Sequence, residues 1–343
     1  MNGFQRVKAA LNGDWPDSTP IMLHNFMMAA REAGFTMAQF RNDPRVMADS
    51  FVQSVEKYQY DGVMLDVDTV TLAEATGVPI DFPEDQPARC HGVRLQQLSD
   101  VDGLKPVDIE TKPRIQIWLE AARLLVRHIG NEIFVRGNCD QCPFSLASMI
   151  RTPERWMMDL TDPASHERVY RLLEYCLDIT VQFVRLMAQT GVHMVSNGDS
   201  PAGPEIISPR MYRQFALPYE RRVAEFAHSL NLPYVLHICG KTDRILEDMV
   251  TTGSDGLELD YKTDLVLAEG TLRGRTTFIG NLDPNAVLAL GAPRFVESET
   301  LKLLECFRQN PRFILNAGCA IPAITPAENL HAMIRASRQF ARS

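Results

Sequence analysis

The chain lacks any surplus of basic charge. Its 35 Lys and Arg stand against 43 Asp and Glu, a formal charge of −8. A nucleic-acid surface needs clustered Lys and Arg, so that class of partner is excluded. No apolar run approaches the length of a membrane span. The opening residues, Met1 to Lys8, contain no apolar signal core. These absences predict a cytoplasmic protein with no membrane partner. No Gly-x-Gly-x-x-Gly fingerprint and no complete Gly-x-x-x-x-Gly-Lys-Ser/Thr loop occurs, which argues against an open doubly wound nucleotide-binding sheet. There is no sequence repeat and no low-complexity tract. Cysteine is sparse and odd in number, seven in 343 residues. In a reducing compartment such thiols stay free for metal binding or chemistry.

What is present is an ordinary globular composition, 45% hydrophobic and 23% charged, ample for a large core. Short apolar runs alternate with helical periodicity along the chain. Residues 1–18 read as a helix and a polar lead-in. Strands are expected at Thr19–Phe26, Asp61–Asp68, Glu132–Gly137 and Val192–Asn197. Four more follow at Tyr234–Cys239, Asp255–Asp260, Thr276–Asn281 and Arg312–Asn316. A loop-rich excursion from Pro79 to Pro106 interrupts the alternation. Helices are expected at Arg114–Gly130, roughly 145–160 and 163–190, Pro209–Leu230 and Lys241–Val250. The last helix follows Thr325-Pro326-Ala327-Glu328, a capping-box spacing with Pro at the first helical position. Eight strands alternating with helices predict a (β/α)8 TIM barrel, α/β in class. One type of strand throughout leaves no place for a domain boundary, so residues 1–343 are expected to form a single domain.

The stretch that carries chemistry is Tyr234-Val235-Leu236-His237-Ile238-Cys239-Gly240. In an extended chain His237 and Cys239, two apart, point to one face. Imidazole and thiolate suit a borderline-soft ion such as zinc. Cys319, just past the last strand, supplies a third donor. One His and two Cys leave an open position, the pattern of a catalytic rather than a structural zinc site. The alternative is that these are ordinary strand-end residues, since Cys is often buried and inert.

A barrel places chemistry at the carboxyl ends of its strands. Those ends carry His24 and Asn25, Asp66 and Asp68, Asn138 to Gln141, Asn197, Asp199 and Ser200, Glu258 and Asp260, Asn281 and Asp283, and Asn316. The amino ends are mostly turn residues. Asp and Asn after strands also serve as turn formers and helix caps, and roughly half of these are expected to do only that. Cys139 and Cys142 form an isolated Cys-x-x-Cys pair, either a redox or metal pair or two buried thiols.

With these segments in view, the chain resembles the uroporphyrinogen decarboxylase superfamily over nearly its whole length. Asp61 to Gly77 looks like the family's second-strand segment, with Asp68 on its catalytic Asp. Gly137 to Met149 looks like its third-strand turn. Asp199-Ser200-Pro201-Ala202-Gly203, Phe215 to Tyr219, Gly280 to Pro284 and Asn316 to Pro322 match further segments. The departures are informative. The decarboxylases carry a Met-Arg-Gln-Ala-Gly-Arg stretch that holds substrate carboxylates; here Leu23 to Arg31 replaces it and the first Arg is missing. Met149 stands where they have Tyr, Cys319 where they have a C-terminal His, and their fifth strand has no His-x-Cys.

These changes resemble the family's corrinoid-dependent methyltransferase branch, of the methylcobamide:coenzyme M and chloromethane methyltransferase types. The resemblance implies zinc at His237, Cys239 and Cys319; Glu258, just inside the sixth strand, is a candidate fourth ligand in the resting state. Glu258 otherwise reads as an ion-pair or turn residue. The resemblance implies methyl transfer between a methylcobamide and a thiol such as coenzyme M. No Asp-x-His-x-x-Gly corrinoid-binding stretch occurs here, so the corrinoid comes on a partner protein or free. Asp68 and Ser200 are retained positions expected to orient the zinc shell or substrate. Asn138, Asp140, Gln141 and Asp199 are expected to face the cofactor. The alternatives are demethylation of a methoxylated substrate, uroporphyrinogen decarboxylation, and a corrinoid-docking or zinc-holding protein without turnover. Pairing into a homodimer is compatible with the sequence.

Overall fold

The computed structural model describes residues 1–340. Ten strands form in chain order: β1 Met22–Leu23, β2 Gly62–Leu65, β3 Ile80–Asp81, β4 Arg89–Cys90 and β5 Phe134–Gln141, then β6 Met194–Gly198, β7 Tyr234–Ile238, β8 Gly256–Leu259, β9 Thr277–Leu282 and β10 Phe313–Ala317. Eight of them make one parallel sheet in the order β1-β2-β5-β6-β7-β8-β9-β10. A parallel bridge between Ile21 and Leu315 returns the last strand to the first. This is the expected (β/α)8 barrel. The eight expected strands lie where the apolar runs placed them. β3 and β4 form a separate antiparallel hairpin inside the excursion after β2.

Two apolar layers divide the interior. The larger lies between the sheet and its helices. The smaller fills the amino end of the barrel with Met22, Phe134, Met194, Val235, Ile279 and Ile314, roofed by Val7, Ala10 and Leu11. Those last three belong to the Gly3–Asn12 helix, the expected lead-in. A capping box starts it, with Asn2 and Gln5 exchanging side-chain to backbone hydrogen bonds. With that end plugged, the open mouth lies at the strands' carboxyl ends.

Asp61 ties the plug to the barrel. Its buried carboxylate accepts hydrogen bonds from Arg6 at 3.0 Å, Arg338 at 2.7 Å and the Ile21 backbone N–H at 2.9 Å. The Asp61→Ala variant is expected to lose about 1–3 kcal/mol of stability, because charge-assisted bonds are lost and a buried donor is orphaned. Urea denaturation checks this; an unchanged midpoint would remove Asp61 from that role.

Four helical expectations need correction. The stretch at 145–160 is two helices, Pro143–Arg151 and Pro153–Thr161, parted at Thr152, whose φ is 72°. Lys241–Val250 is a loop up to Ile245, with helix only at Leu246–Val250. Gly240 has a positive φ of 86°, and Asp260 accepts its N–H, which commits the chain to a turn rather than a helix start. Pro209–Leu230 is interrupted by a wide turn at Tyr212–Ala216. Pro218 lacks the N–H an uninterrupted α-helix would use there. The last helix begins at Ala327, one residue late, and the Thr325 hydroxyl makes no capping bond. Among the described residues no helix is long and apolar enough to cross a membrane.

Candidate metal centre

β7 is buried along its whole length, with Tyr, Val and Ile that suit a pleated core strand. It carries His237 to the mouth, and Cys239 follows at once. Asp199 N–H donates to the His237 carbonyl, and the Ser200 hydroxyl accepts from the Cys239 N–H at 3.2 Å. Cys319 arrives from beyond β10. Gly318, before it, lies so close to the Tyr261 backbone that a Cβ would sit 2.5 Å from its nitrogen. The Ile321 N–H then bonds the His24 carbonyl.

The three donors converge. His237 Nε2 lies 3.0 Å from Cys239 Sγ, and Cys239 Sγ lies 3.7 Å from Cys319 Sγ. All three donor atoms fall within 4.8 Å of one another. Two sulfurs on a tetrahedral zinc sit about 3.8 Å apart, given Zn–S bonds of about 2.3 Å. His237 Nδ1 lies 2.9 Å from the Glu258 carbonyl. As the donor to that carbonyl, Nδ1 holds a proton, which leaves Nε2 as the nitrogen that would offer its lone pair to a metal; such an outer bond is typical of a metal-ligating His.

The electrostatics agree with a cation-seeking donor set. Hydrogen bonding from Cys319, together with the His237 charge, brings the Cys239 thiol down to about 3. Burial works against the His237 imidazolium, but the adjacent thiolate outweighs it and lifts the group to about 10. The Cys319 thiol is pushed up, because it donates its hydrogen to Cys239 and is buried. A sulfur that ionises readily, beside an imidazole and a second thiol, is a donor set that attracts a cation. The donor types, spacing and charge all fit zinc.

Glu258 lies outside this group. Its carboxylate has no solvent exposure and pairs at 2.5 Å with Arg136, which is equally buried. Asn316 donates to it at 3.1 Å, and the His24 ring lies 3.8 Å away. Burial alone would raise its carboxyl; Arg136, His237 and His24 hold it down to about 2.

A cavity of about 230 Å³ opens above the three donors. His24, Asp66, Asp68, Asn138, Gln141 and Ser200 line it with the apolar Phe26, Met27 and Met64. A wider groove of about 580 Å³, floored by Val70 and Cys90, adjoins it through Thr69. Of the four residues expected to face a cofactor, Asn138 and Gln141 reach the cavity. Asp140 and Asp199 sit behind its wall. Asp140 accepts from the Leu72 N–H, and burial pushes its carboxyl well up. Asp199 accepts from the Ser145 N–H and hydroxyl, and burial raises it to about 6. Both carboxylates hold the first turns of helices. Cys139 and Cys142 are fully buried thiols with separate neighbours, the Gly137 carbonyl and the Tyr234 hydroxyl.

Three arrangements escaped the sequence. His24 Nε2 bonds Asp66 at 2.7 Å, leaving Nδ1 without a hydrogen-bond partner. Arg114, from the Pro113–Ile129 helix, bonds both Asp68 and Glu74. Arg136 points into the barrel, and its one sequence signal was a charge inside the apolar run of β5.

The model of the family described as uroporphyrinogen decarboxylase (URO-D) matches residues 2–340. The methylcobamide:CoM methyltransferase MtbA of Methanosarcina mazei is 31% identical, covering 82% of this chain and 80% of its own. The methylcobamide:CoM methyltransferase MtaA of Methanosarcina barkeri is 27% identical over 98% of this chain and 97% of its own. A uroporphyrinogen decarboxylase of Synechococcus sp. is also 27% identical, over 86% and 83%. Among solved structures, a methyltransferase from Methanosarcina mazei superposes with a TM-score of 0.90 at 23% identity, covering 99% of both chains.

Proposed function

The chain belongs to the uroporphyrinogen decarboxylase (URO-D) family, and within it we propose a zinc-dependent methyltransferase that works with a corrinoid and a small thiol. The observation that carries this reading is the convergence of His237, Cys239 and Cys319 at the barrel mouth. The named methyltransferase relatives support it. The decarboxylase reading is weaker, because the first Arg of the stretch that holds substrate carboxylates in the decarboxylases is missing here.

Zinc held by one imidazole and two thiolates would supply a Lewis-acid position that lowers the proton affinity of a thiol. The protein's own residues do the rest. The Glu258 carbonyl fixes the His237 ring, and the Ser200 hydroxyl fixes the Cys239 backbone. Asp66 accepts the Nε2 proton of His24, so in the neutral ring Nδ1 keeps its lone pair. Asp66 and Asp68 are already occupied by His24 and Arg114, which leaves His24 Nδ1 to take the thiol proton. Phe26, Met27 and Met64 keep water from the reacting sulfur. A methylcobamide would supply the methyl group and keep the electron pair of its Co–C bond, leaving Co(I), while the thiol would lose H⁺ as its sulfur is methylated. A corrinoid protein seated over the mouth is the proposed methyl donor. His24 favours a second reading too. Once protonated it can supply the proton that a leaving oxygen needs when a methoxylated substrate is demethylated.

The test is methylation of 2-mercaptoethanol by methylcobalamin. Transfer is expected with about one zinc per chain, to vanish after chelation, and to return when zinc is restored. Transfer indifferent to chelation overturns the zinc assignment. Coproporphyrinogen formed from uroporphyrinogen, without thiol methylation, returns the chain to the decarboxylases. Demethylation of a methoxylated compound by a Co(I) corrinoid supports the second reading.

A further inference from the structure

We infer that Glu220 is a positioning residue of the metal centre: through Asp199 it sets the backbone that carries His237 and Cys239. This rests on the zinc reading of that centre and extends it to a residue of the Leu217–Ser229 helix.

Asp199 and Glu220 are both fully buried. The groups that act on the two carboxyls are each other, Ser145 and Tyr212; no Lys, Arg or His is among them. Two carboxylates buried together without a cation cannot both hold a charge. The hydrogen bonds show which one keeps a proton. Asp199 Oδ1 accepts from the Ser145 N–H at 2.9 Å and from its hydroxyl at 2.6 Å, two donors that favour the ionised form. Glu220 Oε2 accepts from the Tyr212 hydroxyl alone. The remaining oxygens, Asp199 Oδ2 and Glu220 Oε1, are buried and have no other donor. One hydrogen on Glu220, given to Asp199, satisfies both, and the two side chains are hydrogen-bonded. Burial and the neighbouring Asp199 charge push the Glu220 carboxyl well up, as a proton holder requires.

The wide turn at Tyr212–Ala216 makes this arrangement possible. In a regular α-helix a residue eight positions on lies about 80° round from the first. The wide turn takes up about one extra residue, so eight positions count as seven, two full turns, and Tyr212 and Glu220 share one face.

Asp199 passes the constraint on. Its own N–H donates to the His237 carbonyl at 2.8 Å, and the hydroxyl of Ser200 accepts from the Cys239 N–H. Gly203, at the end of the same turn, lies so close that a Cβ would sit 3.1 Å from the Cys239 carbonyl oxygen. Residues 199–203 therefore grip the backbone of both ligands. Without a hydrogen from Glu220, Asp199 Oδ2 is a buried acceptor with no donor, a cost that a shift of this turn relieves. Such a shift moves the Cys239 sulfur relative to that of Cys319, 3.7 Å away.

Metal binding without corrinoid or thiol tests this. Zinc affinity is measured by chelator competition, and protein loaded with Co(II) reports ligand geometry through its thiolate-to-cobalt absorption. Glu220→Leu removes the hydrogen and should weaken zinc about 10–100-fold, the usual effect of losing an outer partner of a metal ligand, and shift the cobalt spectrum. Glu220→Gln keeps an N–H for Asp199 and an oxygen for Tyr212; it should stay within about threefold of wild type, with an unshifted spectrum. Tyr212→Phe loosens Glu220 and should weaken zinc in the same direction by less. A folded Glu220→Leu with wild-type zinc affinity and spectrum, whatever its urea midpoint, overturns the inference. Tyr212→Phe with wild-type values does the same where Glu220→Leu does not fold. So does a Glu220→Gln as impaired as Glu220→Leu. Wild-type protein that binds neither zinc nor cobalt removes the metal centre itself, and this inference with it.

Discussion

Cys239→Ser is expected to take the protein from about one zinc per chain to almost none, and thiol methylation should fall at least about 10³-fold. Cys239 is the central donor, 3.0 Å from His237 and 3.7 Å from Cys319. A serine hydroxyl fills the same space but stays protonated, so it brings neither the negative charge nor the soft sulfur. Two donors remain, and two donors with a bound thiol make a poor zinc site. The fold should survive, because Cys239 lies beyond the end of β7 and outside both apolar layers. Metal analysis of purified protein, with circular dichroism as the check on folding, decides it. Equal zinc in variant and wild type would refute the assignment. Cys142→Ser serves as control, since that thiol sits against Tyr234 and away from the three donors.

Arg136→Met is expected to be the most destabilising single change near the site, at about 3–5 kcal/mol. It leaves the Glu258 carboxylate buried with no cation at 2.5 Å. The double change Arg136→Met with Glu258→Gln should recover much of that loss, because no uncompensated charge remains. The pH dependence has a definite sign. The Glu258 carboxyl falls in the folded protein from 4.5 to about 2, where Arg136, His237 and His24 outweigh burial. A depressed carboxyl stabilises the fold above its unfolded value and ceases to do so as pH falls through its folded value. Without Arg136 burial raises the Glu258 carboxyl, so the wild-type advantage over Arg136→Met should begin to shrink already above pH 4.5, as the variant takes up its proton, and continue to shrink toward pH 2. Urea midpoints across that range check it; a constant difference would show that Arg136 contributes by packing alone.

His237 and Cys239 were legible because strand periodicity is local: two residues apart means one face. Cys319 was legible only through the barrel, which brings the end of β10 to the same mouth, and through the resemblance that marked its position. The strand ends named the right mouth but not the right users. Asp140 and Asp199 turned out to hold helix starts, and Asp283 accepts from the Asn285 and Ala286 N–H groups. Such carboxylates carry the same sequence signature as ones that face a ligand. Arg114 and Arg136 could not be assigned, because their partners lie 46 and 122 positions away along the chain, and no local pattern encodes such pairings. The helix expected from Lys241 failed for a similar reason. Asp260, on a different strand, holds the Gly240 N–H in a turn.

The wide spacing of the sulfurs has a consequence for biosynthesis. On the ribosome His237 and Cys239 emerge together, whereas Cys319 follows 80 residues later. Until it emerges, a nascent polypeptide offers the metal one imidazole and one sulfur, a weak trap in a cell full of competing thiols. Tight capture waits until β8, β9 and β10 have joined the sheet. Metal loading is then a late event, coupled to completion of the barrel rather than to its nucleation.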